Sequence, residues 1–423
     1  MLNIQKRLTN SFYAVLALPA TGMGFALSIQ IAVLSWILST KFNLNIHEVG
    51  IVWAAGPLAG IFGQVIIGLI SDKVWFWGGR RRPFILVGGL IAALMIIALP
   101  NIDRISHWLG ISNIMYVAIM VAISLDLAIN ISFNPTRSII ADVTPEGNAR
   151  TKGYTWMQTI SGFFGVFAYV FGAVFGNYLL IYVGAVIVLV FSVVPTFFIT
   201  ETREYTAAKT DTESEQIAFK ADWLGLIKIY IAHAFTWLGV QTMFVFIFAY
   251  IGQKLFGFTD LNNIVEADKA HIGQIIAISF AILNTVGFIL PAFVLEPLAK
   301  KIGRVRTHII CIAIMALGYW GITLIGNNVI SLYILMGVVG IGWAATVSLP
   351  FAIMSEKAAK NKMGFFMGIF NLSVVIPQLV VSLGIGILVS NAVDKNIIFI
   401  ISAVSLSISA VLWLLVKEDK KLD

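Results

Sequence analysis

A succession of apolar segments runs through almost the whole of this 423-residue chain. A helix needs about 20 apolar residues to cross the hydrocarbon core of a bilayer, and most of these segments are of about that length or longer. Only helices or closed barrels satisfy their backbone hydrogen bonds inside a bilayer, and the period-two alternation of a barrel strand is absent here. The segments therefore predict an all-α integral membrane protein with twelve transmembrane helices, near residues 12–39, 49–71, 84–100, 113–140, 153–175, 178–199, 223–252, 272–295, 307–326, 329–354, 364–389 and 396–416.

The overall composition supports a membrane location and argues against other classes of basic protein. Hydrophobic residues make up 59% of the chain and charged residues 12%, whereas a soluble domain has about 25% charged residues. The net charge of +7 would suit nucleic acid, but basic residues on cytoplasmic loops explain it more simply. We expect no nucleic-acid partner, no metal and no cofactor, and the single cysteine, Cys311, cannot form an intramolecular disulfide.

The distribution of basic residues sets the orientation of the predicted topology. With the N-terminus inside, one set of loops carries Lys6, Arg7, Lys73, Arg80, Arg81, Arg82, Arg150, Lys152, Lys300, Lys301, Arg304, Arg306, Lys357, Lys360 and Lys362. The opposite set carries only Lys41, Arg104, Lys254, Lys269 and Lys395. Since positive residues concentrate on the cytoplasmic side, we expect both termini to be cytoplasmic. The chain is then a multi-pass protein of the cell membrane, which is the inner membrane if the source is bacterial.

A charged interruption at 201–222 divides the predicted helices into two groups of six. It is poor in large apolar residues and too short to fold as a domain, so it suits a cytoplasmic linker. The sequence therefore predicts an N-terminal six-helix half, 1–200, and a C-terminal six-helix half, 223–423.

A repeated spacing indicates that the two halves share one architecture. Asp72 lies seven residues before Gly79, and Glu296 lies seven residues before Gly303. In both places an arginine follows the glycine and opens the next apolar segment. Many transporters consist of two parallel repeats with the substrate site near the midplane between them. The pattern therefore favours a transporter.

Several motifs resemble those of a known family. The stretch GPLAGIFGQVIIGLISDK begins at Gly56, and GRRRPFI follows it from Gly79. Three further stretches are GFAL from Gly24, LDLAINISFNPTRSIIAD from Leu125 and GIFNLSVVIPQLVVSL from Gly368. Together they resemble the major facilitator superfamily, and within it the sucrose/proton symporters and the bacterial glycoside–pentoside–hexuronide cation symporters.

The resemblance implies a fold of two six-helix halves that transports a sugar by alternating access, and it leaves the particular sugar open. Many relatives have a glutamine directly after the GFAL-like run, where this chain has Ser28, with Gln30 two positions further on. The predicted external loop that carries Asp260, Glu266 and Asp268 has no clear counterpart in the family.

Asp126 lies about half-way along the fourth predicted helix. A carboxylate at mid-helix costs about 2.5–3.5 kcal/mol on insertion scales, so such residues usually have a function. One interpretation is a proton carrier, because burial disfavours the charged form and an approaching cation or hydroxyl favours it again. The other interpretation is a structural polar contact between helices. We favour the proton carrier, since Asp126 also matches the family's helix-four aspartate.

Arg137 lies eleven residues after Asp126 on the same predicted helix. In an ideal helix the two side chains are about 20° apart and about 16 Å apart along the axis, so they share a face without a direct ion pair. Arg137 is a candidate for binding sugar hydroxyls, and the alternative is an arginine that extends towards the membrane surface. Asn130 is a further candidate on this face, while Asn134 is more simply a contact between helices.

A sugar site requires flat apolar surfaces for C–H groups and amides or charges for hydroxyls. Each aromatic residue in a membrane helix is more often a packing residue than a sugar platform. Two pairs share a helix face, which favours them: Trp237 with Gln241, and Asn371 with Gln378. Histidine His233 near Trp237 is better explained as a satisfied polar contact than as a proton relay. The full set of predicted substrate-binding residues is Arg137, Asn130, Gln64, Gln158, Trp156, Trp237, Gln241, Asn371 and Gln378, with Gln30 among the other candidate amides.

The arginine-rich loop after the second predicted helix is a candidate cytoplasmic gate. Three successive arginines exceed what membrane orientation alone requires, although orientation is the simpler alternative. A charge network there would favour one access state of the transporter. The predicted gate comprises Asp72, Gly79, Arg80, Arg81, Arg82 and Asp142, with Glu296 and Arg304 as its weaker counterpart in the second half.

These observations predict a secondary active transporter that couples proton symport to uptake of a sugar, an α-glucoside disaccharide such as sucrose or maltose. Two alternatives remain open: an efflux transporter for small amphipathic compounds, and a sodium-coupled glycoside symporter. The resemblance favours a proton over sodium, because sodium-coupled members of the family place additional carboxylates in the second helix, whereas the stretch 51–71 contains none here. No motif of a membrane enzyme is present, so no catalytic residue is predicted. The expected partners are a small sugar, H⁺ and the lipid bilayer, with the monomer as the functional unit.

Overall fold

The computed structural model describes residues 3–60, 70, 74–145, 148–201, 222–259, 264–357 and 363–418. Among the predicted site residues, Gln64 and Asp72 lie outside these ranges, and the side chain of Glu296 is also not described. The described residues form no β-strand, and one isolated antiparallel bridge joins Phe76 and Gly79.

The described chain is built from helices numbered here in chain order. They are α1 (Asn3–Lys6), α2 (Asn10–Thr40), α3 (Ile46–Trp53), α4 (55–60), α5 (Arg82–Ala98), α6 (Ile102–Leu109), α7 (Ile114–Val143), α8 (Asn148–Phe175), α9 (Asn177–Phe198), α10 (Trp223–Tyr250), α11 (Glu266–Leu290), α12 (Glu296–Ile302), α13 (Arg304–Ile325), α14 (Val329–Thr346), α15 (Leu349–Lys357), α16 (Met363–Val380), α17 (Gly386–Asn391) and α18 (Ile397–Trp413). A 3₁₀ turn covers Leu99–Asn101, and π-helical turns cover Ile251–Leu255, Pro291–Leu295 and Val381–Ile385.

Helix starts follow the local capping chemistry of the sequence. The side chain of Asn45 accepts from the backbone N–H of Glu48, whose carboxylate accepts from the Asn45 N–H in return, so α3 begins with a complete capping box. Asn328 forms a capping box at the start of α14, and Asp222 caps α10 by accepting from Gly225.

Among the described residues, ten helical spans are long and apolar enough to cross a membrane, and some of them run through two of the numbered helices: Arg82–Leu109, for example, comprises α5, the 3₁₀ turn and α6. Helix α18 is a shorter apolar helix of 17 residues. The predicted segment 49–71 falls on α3 and α4 and on residues outside the described ranges. The chain is therefore an integral, multi-pass membrane protein, as the sequence predicts.

The helices group into two compact units. Unit 1 comprises Met1–Phe42 and Ala55–Ser214, and unit 2 comprises Asn43–Ala54 and Glu215–Asp423. The predicted boundaries 1–200, 201–222 and 223–423 stay predictions.

Small residues allow the helices of unit 1 to approach closely. The main contacts join α2 to α8 and α9, and α5 to α7 and α9. A Cβ on Gly89 of α5 would collide with the side chain of Ser192 on α9. Neighbouring Gly88 faces Ser132 of α7, whose hydroxyl donates to the Phe84 carbonyl at 3.2 Å. Close approach of this kind is the usual way in which membrane helices gain packing energy.

Unit 2 has the same kind of close packing. Its main contacts join α10 to α18, α11 to α14, and α13 to α14 and α18. The hydroxyl of Ser402 on α18 donates to the backbone carbonyl of Gly239 on α10 at 2.8 Å. A Cβ on Gly50 of α3 would lie 2.5 Å from the Ser382 carbonyl oxygen, so α3 packs backbone to backbone on the π-helical turn Val381–Ile385.

Candidate functional site

The side chain of Asp126 is buried inside unit 1 next to a polar side chain. It lies on α7, is 8% exposed, and its Oδ2 accepts a hydrogen bond of 2.8 Å from Nε2 of Gln30 on α2. Gln30 is itself only 2% exposed. Burial disfavours the charged form of a carboxyl group, whereas an amide N–H donor stabilises it. Asp126 is therefore subject to two opposing influences on its charge.

A glycine on α4 packs against the other side of the Asp126 carboxyl group. A methyl group added at Gly56 would lie 3.1 Å from Oδ2 of Asp126 and 3.2 Å from its Cγ and Oδ1. One helical turn later, a methyl group at Gly60 would lie 3.9 Å from Nδ2 of Asn130, which is an ordinary contact. The carboxyl group thus packs against the helix backbone at Gly56, where any larger residue would displace it.

The other two candidates on α7 contact their own helix. Nδ2 of Asn130, which is half-buried, donates to the Asp126 backbone carbonyl at 2.8 Å. Arg137 is exposed, and its guanidinium lies 4.4 Å from the ring centroid of Phe133. No ion pair joins Asp126 and Arg137, both of which are described. Their proposed contact with a substrate stays a prediction.

A second polar cluster lies inside unit 2 and brings together three predicted residues. Nε2 of Gln378 on α16 donates to Oε1 of Gln241 on α10 at 3.3 Å. One turn before Gln241, Nε1 of Trp237 donates to Nε2 of His233 at 3.0 Å. His233 also stacks on Phe370 with 4.7 Å between centroids. Its Nε2 has the polar contact that the sequence favours, whereas its Nδ1 is buried and has no hydrogen-bond partner among the described residues.

Trp343 extends this cluster to two further helices. Its ring meets that of Trp237 edge to face at 5.9 Å, and its Nε1 donates to Oδ1 of Asn284 at 3.3 Å. The cluster therefore combines aromatic faces with amide groups, the two kinds of surface that a sugar needs. Sequence analysis did not select Asn284, which is separated from Trp343 by 59 residues.

Three of the remaining predicted sugar-binding residues lie on α16 and α8. Asn371 on α16 is half-buried. On α8, Trp156 is half-buried and Gln158 is exposed. Gln64 lies outside the described residues.

The arginine loop, defined here as residues 74–82, is organised around the buried carboxylate of Glu201. Its Oε2 accepts from the backbone N–H groups of Arg80 at 2.8 Å and Arg81 at 2.9 Å, and its Oε1 accepts from that of Arg82 at 2.9 Å. A Cβ on Gly79 would collide with Oε1 of Glu201, which explains the glycine at this position. The carboxylate thus caps the start of α5, because Arg82 is the first residue of the helix and Arg80 and Arg81 lie immediately before it.

The arginine side chains of this loop reach a second helix. Arg80 Nη2 lies 2.8 Å and Arg81 Nε 3.1 Å from Oδ2 of Asp142 near the end of α7. Arg82 donates from Nη1 to the Gly78 carbonyl at 3.4 Å. The loop thus ties the start of α5 to the end of α7. Asp72, the remaining member of the predicted gate, lies outside the described residues.

Unit 2 contains a smaller version of this arrangement. The backbone N–H of Arg304, at the start of α13, donates to the carboxylate of Glu418. Gly303 has a φ of +94°, which favours glycine, and a Cβ there would collide with the same carboxylate. In both units, a glutamate that follows an apolar helix caps a Gly-Arg turn. The carboxylates were missed in the sequence because Glu201 lies 121 residues from Arg80 and Glu418 lies 114 residues from Arg304.

Comparison with known proteins assigns the family. The model of the Major Facilitator Superfamily matches residues 16–382, which is most of the chain. The chain therefore belongs to this superfamily and is a membrane transporter, so the resemblance seen in its sequence is confirmed.

Within the superfamily, the chain is similar to sucrose transport proteins of plants. The chain is 24% identical over 424 residues to the sucrose transport protein SUC4 of Arabidopsis thaliana, with 87% of this chain and 82% of the relative covered. It is 25% identical over 432 residues to the sucrose transport protein SUT2 of Oryza sativa subsp. japonica, with 87% and 84% covered.

Solved structures share the fold. A mutant of the nucleoside transporter NupG aligns with a TM-score of 0.72 at 11% identity and covers 96% of this chain and 100% of that chain. The POT family transporter PepTSo aligns with a TM-score of 0.68 at 13% identity and covers 96% and 98%. At these identities the likeness concerns the fold alone.

Proposed function

We propose that the protein is a proton-coupled sugar symporter whose substrate is an α-glucoside disaccharide such as sucrose or maltose. The observation that carries the proposal is the buried Asp126 carboxyl, held at mid-helix by Gln30 and packed on Gly56. A carboxyl in such a place can bind and release one proton during each transport cycle. The likeness to sucrose transport proteins supports a sugar as the cargo.

The surroundings of Asp126 favour a proton over sodium. Sodium ions need several oxygen ligands at once. The side-chain partner that Gln30 presents to Asp126 is an N–H donor, which repels a cation and stabilises an ionised carboxylate. Among the described residues, no group of three His, Cys, Asp or Glu side chains comes together.

The proposed topology has twelve transmembrane helices with both termini in the cytoplasm. The excess of basic residues on one set of loops supports this orientation. The arginine loop then lies on the cytoplasmic side, where its contacts with Asp142 and Glu201 join the ends of three helices. We propose that this network stabilises one access state of the alternating-access cycle, and that the turn at Gly303 and Arg304 acts in parallel.

The transport assay that tests the proposal uses purified protein in sealed vesicles. A pH gradient, acidic outside, should drive accumulation of labelled sucrose or maltose above its external concentration, and a sodium gradient alone should not. Unlabelled α-glucosides should compete for uptake. If only the sodium gradient drives uptake, the coupling ion is wrong. If no disaccharide competes and amphipathic compounds leave the vesicles instead, the protein is an efflux transporter.

Gly56, which packs against Asp126, allows the role of this carboxyl group to be tested by adding a single methyl group. In Gly56→Ala, the added methyl group lies 3.1–3.2 Å from the carboxyl group and must displace it by a few tenths of an ångström. We expect proton-driven uptake to fall about tenfold, because the geometry of a transferring group tolerates little displacement. Gly60→Ala is the matched control on the same helix, since its methyl group makes only an ordinary contact at 3.9 Å. Equal uptake by both variants would contradict a role for the contact between Gly56 and Asp126.

The amide pair of unit 2 provides a test of sugar binding. Gln378→Leu removes the donor to Gln241 and one amide that could bind a hydroxyl. We expect the KM for sugar to rise about tenfold while the dependence of uptake on pH stays the same, because a lost hydrogen bond to substrate costs about 1.5 kcal/mol. Thr285→Ala is the control, since that hydroxyl donates to the Ala281 carbonyl within α11. An unchanged KM in Gln378→Leu would remove this pair from the sugar site.

A further inference from the structure

Gln30 is one of the candidate amides of the sequence, and the structure brings it into contact with the carboxyl group of Asp126. It lies within α2, 96 residues before Asp126, and its Nε2 donates to Oδ2 at 2.8 Å. Its own oxygen, Oε1, is buried and has no hydrogen-bond partner among the described residues. A buried amide that uses only its donor end is unusual, because an unsatisfied acceptor destabilises a packed interior.

The neighbouring helices offer Asp126 little other help in carrying a charge. No described lysine, arginine or histidine forms an ion pair with it. The helix that bears Gln30 contains no charged residue, and α4 contributes Gly56. The charged and titratable groups on the helices that pack against α7 are Tyr13 on α2, Arg82 on α5, Asp103, Arg104 and His107 on α6, and Arg150, Lys152, Tyr154 and Tyr169 on α8.

We propose that Gln30 is the positioning residue of proton coupling, and that its amide serves both protonation states of Asp126. This inference rests on the proposed function of Asp126 as the proton carrier. With Asp126 ionised, the N–H of Gln30 stabilises the carboxylate, as in this structure. With Asp126 protonated, a half-turn of the amide about its Cγ–Cδ bond brings the unpartnered Oε1 to accept the carboxyl O–H. The proton itself passes between Asp126 and water, and Gln30 neither gains nor loses one.

An amide suits this task because it carries a donor and an acceptor on the same planar group. The bond to the ionised carboxylate is the stronger of the two, since hydrogen bonds to charged groups are about twice as strong as neutral ones. Gln30 therefore makes release of the proton from a buried site easier than burial alone allows. Leucine at this position would keep the volume and remove both interactions.

The test compares the pH dependence of uptake in Gln30→Leu with that of the native protein. Without the N–H donor, Asp126 holds its proton to higher pH. We expect the pH of half-maximal uptake to move up by about one unit, since one pH unit corresponds to the loss of about one such bond. Net accumulation should fall, while exchange of labelled for unlabelled sugar, which needs no proton release, should continue. Ser28→Ala is the control on the same helix, because that hydroxyl donates only to the Gly24 carbonyl.

A double variant shows whether Gln30 acts through Asp126. In an Asp126→Asn background no proton is exchanged at this site, so adding Gln30→Leu should leave the exchange rate unchanged. A further loss of exchange in the double variant would overturn the proposal and place Gln30 in sugar binding or in folding. An unmoved pH profile in the single variant would overturn it as well.

Two further measurements separate the possible failures. If Gln30→Leu does not yield folded protein, the pH profile of Gly56→Ala replaces it, because displacing the carboxyl weakens the same hydrogen bond and should move the profile in the same direction. An unmoved profile there contradicts the proposal. If sugar uptake by the native protein does not depend on a pH gradient, the proposed function is wrong. If native uptake does depend on it and the pH profile of Gln30→Leu is unaltered, only the proposed role of Gln30 is wrong.

Discussion

Replacing Asp126 with asparagine is expected to abolish proton-driven accumulation of sugar while exchange across the membrane continues. Asparagine has nearly the same shape as aspartic acid and resembles its protonated, neutral form. Its side-chain oxygen can still accept the hydrogen bond from Gln30, so the packing on Gly56 should be preserved. What is lost is the ability to release a proton, without which the pH gradient cannot drive the cycle.

The measurement uses vesicles with an acidic exterior and labelled disaccharide. Native protein should concentrate the sugar, whereas Asp126→Asn should bring the internal concentration only to the external one. Counterflow with unlabelled sugar inside should remain within about threefold of the native rate, because binding and reorientation need no net proton movement. Asp103→Asn, which alters an exposed ion pair with Lys41 on the surface, should accumulate sugar normally. Uphill uptake by Asp126→Asn equal to that of native protein would falsify the assignment.

The membrane helices could be predicted from sequence because an apolar run of about 20 residues has one stable form in a bilayer. The predicted segment 178–199 corresponds to α9, Asn177–Phe198, and 223–252 corresponds to α10, Trp223–Tyr250. The π-helical turn Ile251–Leu255 that continues α10 was not predicted. Its extra residue per turn depends on packing against neighbouring helices, which local hydropathy does not encode.

The candidate site could be predicted only in part. A carboxylate at mid-helix is conspicuous in any apolar segment, so Asp126 was identified without structural information. Its partner Gln30 was one of several intramembrane amides, and nothing local distinguishes the one that lies 2.8 Å away. Gln241 and Gln378 were each selected because they share a helix face with another polar or aromatic residue. Their mutual contact across 137 residues depends on how α10 and α16 pack.

Glu201 shows the limit of interpretation by composition. As the first residue of the charged segment 201–222, it is predicted to belong to a cytoplasmic linker. The structure places it 8% exposed against the backbone of the arginine loop. Two hydrogen bonds join Gln5 to Thr200, the residue before Glu201. Nε2 of Gln5 donates to the Thr200 carbonyl at 2.8 Å, and the backbone N–H of Thr200 donates to Oε1 of Gln5 at 2.9 Å. These contacts join the start of the chain, the end of α9 and the start of α5. They could not be predicted from local sequence, because the residues that form them are far apart in the chain.

The second large effect is expected from Glu201→Gln. Three consecutive backbone N–H groups donate to both oxygens of this carboxylate, so an amide in its place would turn an NH₂ group towards at least one donor. Hydrogen bonds to a charged group contribute about 1.5–3 kcal/mol, and an unmatched buried donor adds its own penalty. We expect the free energy of unfolding to fall by about 3 kcal/mol, with a lower melting temperature in detergent.

Comparison with Glu418→Gln and Glu266→Gln locates the origin of that effect. Glu418 is exposed and caps the single N–H of Arg304, so its substitution should cost less than about 1 kcal/mol. Glu266 has a side chain 74% exposed and a distant ion pair at 4.0 Å, so its substitution should leave the melting temperature unchanged. If all three variants melt together, general loss of negative charge is responsible and the cap is not. If Glu201→Gln alone is destabilised, the geometry of the arginine loop depends on this carboxylate, because it holds the backbone from which Arg80 and Arg81 reach Asp142.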